Sequence, residues 1–394
     1  MRNFLFAILI LFYASSAVFP SSDIAVLYDE LSKNHFDFFN SVDKETADEY
    51  VKSLLPKENG MDEGELYYAL LSVAAIARDS HTQVILSEEL VSSFHFLPVS
   101  FGLFNGDIVI VSAYEDYKEL LGRRVERING FPLGEIAEKG RYILPHDNDV
   151  FLMSSLMSHL LFPEFLEAIG IGRKDGNAVL SFRGGDEISI SPDSYDEYSS
   201  EPKSYLRQKF PDTLNIEDNY SAMYLPDETA LLVNYHSCSE MDAFPFPDFA
   251  AAVIALVNEN GYEKVVIDLR YNGGGNSAII EPLVDGLEKI QDERGLDVYV
   301  LIGEGTFSSA ILNAIELKTR LDATLVGRPT GGSVSHYGEL ESGILPSSGL
   351  SYTWSSKYFD NGFEGPLLPD ITVDLSLDDY IQGIDTDLLA LGLI

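Results

Sequence analysis

Cysteine and positive charge are both scarce in this sequence. Its single cysteine, Cys238, has no partner for an internal disulfide, and we predict a buried structural thiol there. Lysine and arginine number 26 against 63 aspartate and glutamate residues, so the formal net charge at pH 7 is −37. Such a surface repels nucleic acid and anionic membranes, and we expect neither as a partner. The acidic residues are spread along the chain, which indicates a solubility role, with binding of a cationic partner as the alternative.

The motifs that mark many metal and nucleotide sites are also missing. The seven histidines include no His-Glu-x-x-His pattern and no paired spacing, so a metal site has little support. The three glycines at 273–275 are not followed by Gly-Lys-Ser or Gly-Lys-Thr, and the chain has no Gly-x-Gly-x-x-Gly. We therefore expect no metal and no cofactor.

The N-terminus carries an apolar run of the signal-peptide type. Residues 4–13 are almost wholly apolar, they follow Met1-Arg-Asn, and Ser15-Ser-Ala17 offers small residues for cleavage. The run is too short to span a bilayer comfortably, because a transmembrane helix needs about 20 apolar residues. We predict that residues 1–17 are a cleaved signal peptide, with a retained anchor as the alternative. The mature protein would then be secreted or periplasmic, without stable membrane insertion.

The rest of the chain divides into three parts by pattern. Residues 18–90 place apolar side chains at helical spacing, which predicts an N-terminal helical domain. Residues 91–225 show strand patterns, a helical stretch and a polar segment. Residues 226–394 alternate strands with helices, which predicts an α/β core built on a largely parallel sheet.

Local signals refine this division. Thr46-Ala-Asp-Glu49 is predicted to be a helix capping box, and Asp62-Glu-Gly-Glu65 is a related helix-start signal. Two strand patterns on either side of Gly184-Gly185 predict a hairpin. The polar residues 192–220 are interpreted as a long loop or linker.

Two motifs in the α/β part carry chemistry. An apolar strand runs into Gly273-Gly-Gly275, where backbone N–H groups can approach a ligand without hindrance from side chains. The next strand, over 298–302, leads to Ser308 at the start of a helix. A serine hydroxyl beside free N–H donors provides a nucleophile and a place for the oxyanion of acyl transfer. A serine that only caps the helix is the structural alternative.

With these motifs the chain resembles the tail-specific (C-terminal-processing) protease family, in particular its tricorn-like branch. The resemblance covers most of the mature chain, and its motifs occur in the family's order: Asp79-Ser-His-Thr82, Ile267-Asp-Leu-Arg-Tyr-Asn-Gly-Gly-Gly275, Gly305-Thr-Phe-Ser308-Ser-Ala, Val326-Gly-Arg-Pro-Thr-Gly-Gly332 and Leu368-Pro-Asp-Ile371. It implies a helical N-terminal domain at 18–90, a PDZ-like region with an extension and linker at 91–225, and a crotonase/ClpP-like α/β core at 226–394. Residues 122–130 are similar to the Gly-x-x-Ile-x-x-Ile-Asn-Gly stretch of such PDZ domains.

The resemblance also implies roles for single residues. Ser308 matches the family nucleophile. One branch uses a lysine base shortly after the Gly-x-Pro-Thr turn, but Ser333 stands in that place here. The tricorn-like branch uses a histidine matched by His81, with a neighbouring serine matched by Ser80. Glu364 is the nearest match to the glutamate that completes the set. His336 is the alternative base.

A histidine suits general-base catalysis because an unperturbed imidazole has a pKa of about 6.5. As oxyanion donors we predict the backbone N–H groups of Gly274 or Gly275 and of Ser309. The structural alternatives are a helix-terminal histidine for His81, a polar loop residue for Ser80 and a surface acid for Glu364.

The sequence thus predicts a secreted serine endopeptidase that hydrolyses polypeptides through an acyl-enzyme. Its PDZ-like region would hold the C-terminus of a substrate or gate the cleft, as the resemblance implies. A catalytically inactive peptide- or ligand-binding protein on the same scaffold is the main alternative. A crotonase-type acyl-CoA enzyme is a second alternative, and the export signal counts against it.

Overall fold

The computed structural model describes residues 22–173, 175–207, 211, 218–225 and 229–394. The predicted signal peptide at 1–17 lies outside these ranges. The α-helices are Asp23–Asn34 (α1), Lys44–Leu54 (α2), Glu63–Ala74 (α3), Glu88–Ser93 (α4), Leu133–Gly140 (α5), Asp149–His159 (α6), Pro163–Ala168 (α7), Tyr195–Ser200 (α8), Phe246–Asn260 (α9), Glu281–Arg294 (α10), Ser309–Leu321 (α11), Leu377–Gln382 (α12) and Thr386–Ala390 (α13). Short 3-10 turns lie at Glu58–Gly60, Ala75–Ala77, Glu115–Leu120 and Ser277–Ile280.

The β-strands form two larger sheets and two small pairs. They are His95–Phe96 (β1), Val99–Phe104 (β2), Asp107–Tyr114 (β3), Arg124–Ile128 (β4), Phe131–Pro132 (β5), Ala178–Phe182 (β6), Glu187–Ile190 (β7), Asp193–Ser194 (β8), Lys203–Tyr205 (β9), Tyr220–Tyr224 (β10), Ala230–Tyr235 (β11), Lys264–Asp268 (β12), Asp297–Ile302 (β13), Thr324–Gly327 (β14), His336–Ile344 (β15), Ser351–Phe359 (β16) and Ile371–Thr372 (β17). The prediction of an α/β fold with a helical N-terminal region is confirmed.

The helix-start signals had mixed outcomes. At α3 the predicted capping box is present: Asp62 accepts from the Glu65 N–H at 2.8 Å, and Glu65 accepts from the Asp62 N–H at 3.1 Å. The box predicted at Thr46 is wrong, because α2 begins at Lys44 and Asp43 accepts from the Thr46 N–H at 2.9 Å. An aspartate three residues upstream is an equally strong N-cap, so the helix starts earlier.

The central sheet of the α/β part has the strand order β10-β11-β12-β13-β14-β17. Strands β11 to β14 and β17 run parallel, and β10 closes one edge antiparallel. Side chains alternate between two apolar clusters: Val265 and Ile267 lie in one, and Val266 lies in the other. Because helices cover the sheet, its buried strands are apolar on both faces. The loops after β12 and β13 leave at the carboxyl ends of neighbouring parallel strands.

The N-terminal helices and the strand-rich region share one hydrophobic cluster. Its sheet has the order β2-β3-β4-β6-β7, with β5 paired to β4 and β9 paired to β3. Strands β6 and β7 form the predicted hairpin. The loop predicted over 192–220 is wrong in part, since α8 and β9 lie within it. Both elements are too short for their residues to show the hydrophobic periodicity of a helix or a strand. The comparison of this region with a PDZ domain stays a prediction.

The hairpin β15–β16 connects the two parts of the molecule. It leaves the α/β core, and its residues Leu345, Leu350 and Tyr352 are buried in the cluster of the N-terminal helices. At its tip, the backbone N–H groups of Ser347 and Ser348 donate to the Asp23 carboxylate at 2.9 and 2.7 Å. The hairpin therefore fixes the helical region against the core. In the described ranges, no helix has the length and apolar character needed to cross a membrane.

Candidate active site

Ser308 lies on a sharp turn between β13 and α11. Its backbone has φ 53° and ψ −126°, a conformation outside the regions that residues with a side chain usually adopt. Such a conformation costs on the order of 1–3 kcal/mol and persists only where the surrounding structure enforces it. Ser308 is at the N-cap position of α11, yet its side chain makes no capping hydrogen bond. The half-buried hydroxyl is therefore not used by the helix.

The glycine loop after β12 packs directly against this serine. Gly274 has φ 101°, and a Cβ atom there would lie 2.8 Å from the Ser308 Cβ. Gly275 has φ 131°, and a Cβ atom there would lie 2.4 Å from the Cys238 carbonyl oxygen. Both positions need glycine for conformation and for space. The Ser309 hydroxyl donates to the Gly275 carbonyl at 2.6 Å and links the loop to the start of the helix.

The backbone donors near Ser308 differ in availability. The Gly274 N–H donates to Asn272 Oδ1 at 2.9 Å, so it is already used within the loop. The N–H groups of Gly275 and Ser309 have no acceptor among the residues that the structure describes. Of the predicted oxyanion donors, the N–H groups of Gly275 and Ser309 are therefore available and that of Gly274 is not. The helix N-terminus at Ser309 adds a field that favours negative charge.

His81 reaches the same place from the N-terminal helical region. After α3 the chain makes a 3-10 turn, and Arg78 takes the left-handed conformation with φ 46° before the segment 79–82. The imidazole of His81 stacks on the ring of Phe307, with ring centroids 4.4 Å apart. Since Phe307 directly precedes Ser308, the fold brings the two predicted residues together across 227 positions.

No hydrogen bond joins His81 to Ser308. Both ring nitrogens of His81 are buried and have no hydrogen-bond partner within the described chain. An imidazole in that state keeps one lone pair available as a proton acceptor. Hydrogen bonds between catalytic groups are often absent without substrate, so this geometry is compatible with a general base.

Strand β16 holds the His81 segment. The Thr353 hydroxyl donates to the His81 carbonyl at 2.8 Å. The Thr353 and Gln83 backbones exchange two hydrogen bonds, with the Thr353 N–H donating at 2.9 Å and the Gln83 N–H at 3.3 Å. The segment thus pairs with the edge of the hairpin like a short additional strand. This docking explains how a residue of the helical region is fixed against the core.

Asp79 is the acid that contacts His81, and the sequence motifs did not predict this role. Its carboxylate is fully buried and accepts from the His81 N–H at 2.9 Å, from the Thr82 and Ser355 hydroxyls at 2.6 and 2.7 Å, and from His35 Nε2 at 3.3 Å. Its Oδ1 lies 3.6 Å from His81 Nδ1. Burial alone would raise the pKa of Asp79, but the hydrogen bond from His35 and the nearby imidazole of His81 outweigh it and hold that pKa well below its usual range.

The other two predicted side chains do not reach His81. Glu364 is exposed and accepts a hydrogen bond from the Tyr358 hydroxyl. Within the described ranges no hydrogen bond or ion pair joins Glu364 to His81. The Ser80 hydroxyl is buried but has no hydrogen-bond partner there, so it does not orient the imidazole. The structure therefore points to Asp79, and not to Glu364 or Ser80, as the partner of the histidine.

His336 lies beside His81 with a different set of contacts. The two imidazoles stack with centroids 5.6 Å apart. His336 Nδ1 lies 3.0 Å from the Ser333 carbonyl oxygen, an acceptor, so Nδ1 carries the proton. Burial, then the neighbouring His81, lowers the pKa of His336. Its conformation is fixed by the loop, which makes it a weaker candidate base than His81.

Ser333, in the place of the lysine of the other branch, contacts the strand-rich region. Its hydroxyl accepts from Asn148 Nδ2 at 3.0 Å, and its N–H donates to Asp147 Oδ2 at 3.2 Å. Burial, then the charge of Asp79, raises the pKa of Asp147. No cluster of three or more metal-binding side chains is present in the described part of the chain.

Comparisons with known proteins give the fold. No protein-family model matches the sequence. A search of curated proteins also finds no match. The structure is similar to mature CPAF in complex with lactacystin, with a TM-score of 0.60 and 13% identity over 92% of this chain and 94% of that chain. Mature CPAF alone gives a TM-score of 0.58 and 14% identity over the same shares. A putative peptidase from Parabacteroides merdae is a looser match, with a TM-score of 0.49 and 16% identity over 94% and 95%. At these identities the likeness to CPAF establishes a shared fold that extends over nearly the whole described chain.

Proposed function

We propose that this protein is a serine peptidase that hydrolyses polypeptides through an acyl-enzyme, with Ser308 as nucleophile and His81 as general base. The observation that carries the proposal is the position of Ser308. Its hydroxyl is held out of the helix cap by a strained backbone, beside two N–H donors that have no acceptor among the described residues and next to the ring that stacks on His81. The fold shared with mature CPAF and the order of the protease motifs support the same reading.

Each step of the reaction then has a group in place. The Ser308 hydroxyl attacks the substrate carbonyl carbon, and its proton passes to His81. Nδ1 of His81 is on the side of Asp79, so Nε2 is the nitrogen that accepts the proton. The N–H groups of Gly275 and Ser309 bind the oxyanion, an interaction worth about 2.7–4 kcal/mol of the barrier for each donor.

The second half of the reaction uses the same groups. The carbon–nitrogen bond breaks, and the imidazolium gives its proton to the leaving amine. A water molecule then attacks the acyl-enzyme, and His81 takes its proton in the same way. Asp79 orients the imidazole and stabilises its charged form, since the carboxylate stays ionised throughout.

The sequence motifs support a substrate class and a location for the proposed enzyme. The motif order favours an exported enzyme that acts on polypeptides, with recognition of a substrate C-terminus by the strand-rich region over 91–225. No cofactor or metal takes part in the proposed steps.

The direct test is labelling with a fluorophosphonate, which reacts with an activated serine. The wild-type protein should be labelled, and Ser308→Ala should not. Ser277→Ala is the matched control, because Ser277 is a half-buried serine of the same core, and it should be labelled like the wild type. A folded wild-type protein without label would contradict the proposal and favour the inactive binding protein.

A further inference from the structure

A cavity of about 580 Å³ lies in the helical region, away from Ser308. It is bounded by α2, by the end of α3 with its 3-10 turn, and by the segment that follows α5. We name it the Arg78 cavity, and its lining residues are Ser41, Val42, Thr46, Ala47, Tyr50, Ser72, Ala75, Ile76, Arg78, Arg141 and Tyr142. Its volume is within the range of sites that bind small molecules.

Most of the wall of the Arg78 cavity is apolar. Val42, Ala75 and Ile76 contribute aliphatic groups, and the Tyr142 side chain stands open at the rim with 75% exposure. The hydroxyl of Tyr50 is satisfied by Ser72 Oγ at 2.7 Å. This wall suits a hydrocarbon or an apolar amino-acid side chain.

Arg78 supplies the polar end of the cavity. Its guanidinium has no hydrogen bond, ion pair or ring contact within the described chain. Every other arginine in the described ranges has at least one such contact. Asp149, Asp147 and Glu138 act on Arg78 through their charge, without a hydrogen bond or ion pair, so its N–H donors remain available to a ligand.

Arg141 adds a second positive charge to the same end. Its own partners, Glu138 and Asp149, are largely exposed, so their ion pairs with the guanidinium are weak. Burial, then the charge of Arg141, lowers the pKa of Arg78, and the charges of Asp149, Asp147 and Glu138 offset this only in part. An anion between the two guanidinium groups would reduce their remaining repulsion.

We propose that the Arg78 cavity binds a small carboxylate with an apolar body, its charge on Arg78 and Arg141 and its body on the aliphatic wall. A guanidinium pairs with a carboxylate through two parallel hydrogen bonds, which gives the ligand its orientation. The carboxylate could come from a free aliphatic acid or from the C-terminus of a short peptide. Arg78 directly precedes Asp79, so the ligand would bind one residue from the segment that carries His81.

The proposal is tested by calorimetric titration of the full-length Ser308→Ala protein, so that the result does not depend on peptidase activity. The probes are octanoate with octanamide, and acetyl-Ala-Ala-Leu with its C-terminal amide. Each acid should bind at least about tenfold more tightly than its amide, because a hydrogen bond to a charged group contributes about 1.5–3 kcal/mol. Tighter binding of octanoate would identify an aliphatic acid, and tighter binding of the peptide would identify a C-terminus.

Variants locate the site. Arg78→Gln should weaken binding by about tenfold or more, and Arg78→Lys should restore part of it. Lys52→Gln is the matched control, because it removes one exposed positive charge from α2 without lining the cavity, and it should bind like the parent. Equal binding of acid and amide, equal effects of Arg78→Gln and Lys52→Gln, or no saturable binding at millimolar concentrations would overturn the proposal.

Discussion

The two halves of the candidate site are held by different kinds of contact. Ser308 and its glycine loop belong to one continuous core, where the Thr306 hydroxyl donates to the Leu269 carbonyl at 2.8 Å and Asn272 donates to the Tyr235 carbonyl at 2.9 Å. His81 is fixed instead by Thr353 and Ser355, which lie more than 270 positions later on the hairpin. The nucleophile half is therefore built into the sheet, and the base half depends on docking. Segments fixed by few long-range contacts open before the core does.

Removal of the nucleophile should give the largest effect. Ser308→Ala should lower kcat for peptide hydrolysis on the order of 10⁴-fold or more, because it removes the hydroxyl proposed to form the acyl-enzyme. The measurement is hydrolysis of an unstructured polypeptide followed by mass spectrometry, with Ser277→Ala as the control. Undiminished cleavage by Ser308→Ala would remove the core half from the mechanism.

Replacing the acid of the base half should give a slightly smaller effect. Asp79→Asn should lower kcat by about 10³–10⁴-fold, since the amide cannot stabilise the imidazolium. Glu364→Gln should change kcat by less than about threefold, because that side chain is exposed and bonded to Tyr358. A large loss in Glu364→Gln with a small one in Asp79→Asn would restore the original prediction for the glutamate.

Low pH should lower the stability of the region around the base half of the site. Burial lowers the pKa of His146 to about 4, and the neutral ring fits its contacts with the Leu144 carbonyl at 2.6 Å and Arg141 Nη1 at 3.3 Å. The unfolded chain binds this proton near pH 6.5, so the stabilisation is complete above that pH and is lost as the pH falls towards 4. The loss amounts to as much as about 3 kcal/mol.

Chemical unfolding at pH 7 and pH 4.5 measures this effect. His146→Asn should reduce the difference in unfolding free energy between the two pH values. His95→Asn, at an exposed histidine that pairs with Glu164, should change it less. An unaltered difference in His146→Asn would show that other groups cause the acid sensitivity.

A methyl group in the glycine loop should disturb the core half. Gly274→Ala should cost about 2 kcal/mol of unfolding free energy and lower kcat, because its φ is positive and the new Cβ would lie 2.8 Å from the Ser308 Cβ. Gly273→Ala should be close to neutral, since nothing lies within 4 Å of a Cβ atom there. Equal effects of the two changes would mean that contact with Ser308 is not the cause.

Loosening the docking contact should give the smallest of these effects. Ser355→Ala removes a hydrogen bond to the buried Asp79 and should cost about 1.5 kcal/mol, with a kcat about tenfold lower. Ser356→Ala on the same strand removes only an exposed contact with the Glu339 carbonyl and should stay within about 0.5 kcal/mol. Hydrogen exchange of Gln83 should rise in Ser355→Ala and not in Ser356→Ala.

Much of the fold could be predicted because local chemistry decides it. The end of α9 can be predicted from Gly261, which takes the left-handed conformation with φ 68°. The turn after β4 can be predicted from the dipeptide Asn129-Gly130. The hairpin β15–β16 was not predicted, since its strands mix polar and apolar residues without a clear alternation. Its stability comes from distant partners that a local pattern does not contain.

The same distinction applies to the site. Ser308 and His81 could be selected from motifs, and the structure brings them together, while their catalytic roles stay predictions. The role of Asp79 could not be predicted, because an aspartate next to a histidine is common in sequences. Only its burial and the four groups that donate hydrogen bonds to its carboxylate distinguish it. The position of Arg78 was equally unpredictable, because only the structure shows that its guanidinium makes no hydrogen bond or ion pair within the described residues.

The hydrogen bonds between Asp23 and the hairpin tip have a consequence for proteolysis of the chain. Asp23 is in the first turn of α1, and its carboxylate holds the backbone of Ser347 and Ser348. A protease that trims the N-terminus past this residue would remove two hydrogen bonds from the hairpin tip and leave Leu345, Leu350 and Tyr352 to hold it. Loss of a segment at one end of the polypeptide would thus weaken the support that Thr353 gives to the imidazole segment.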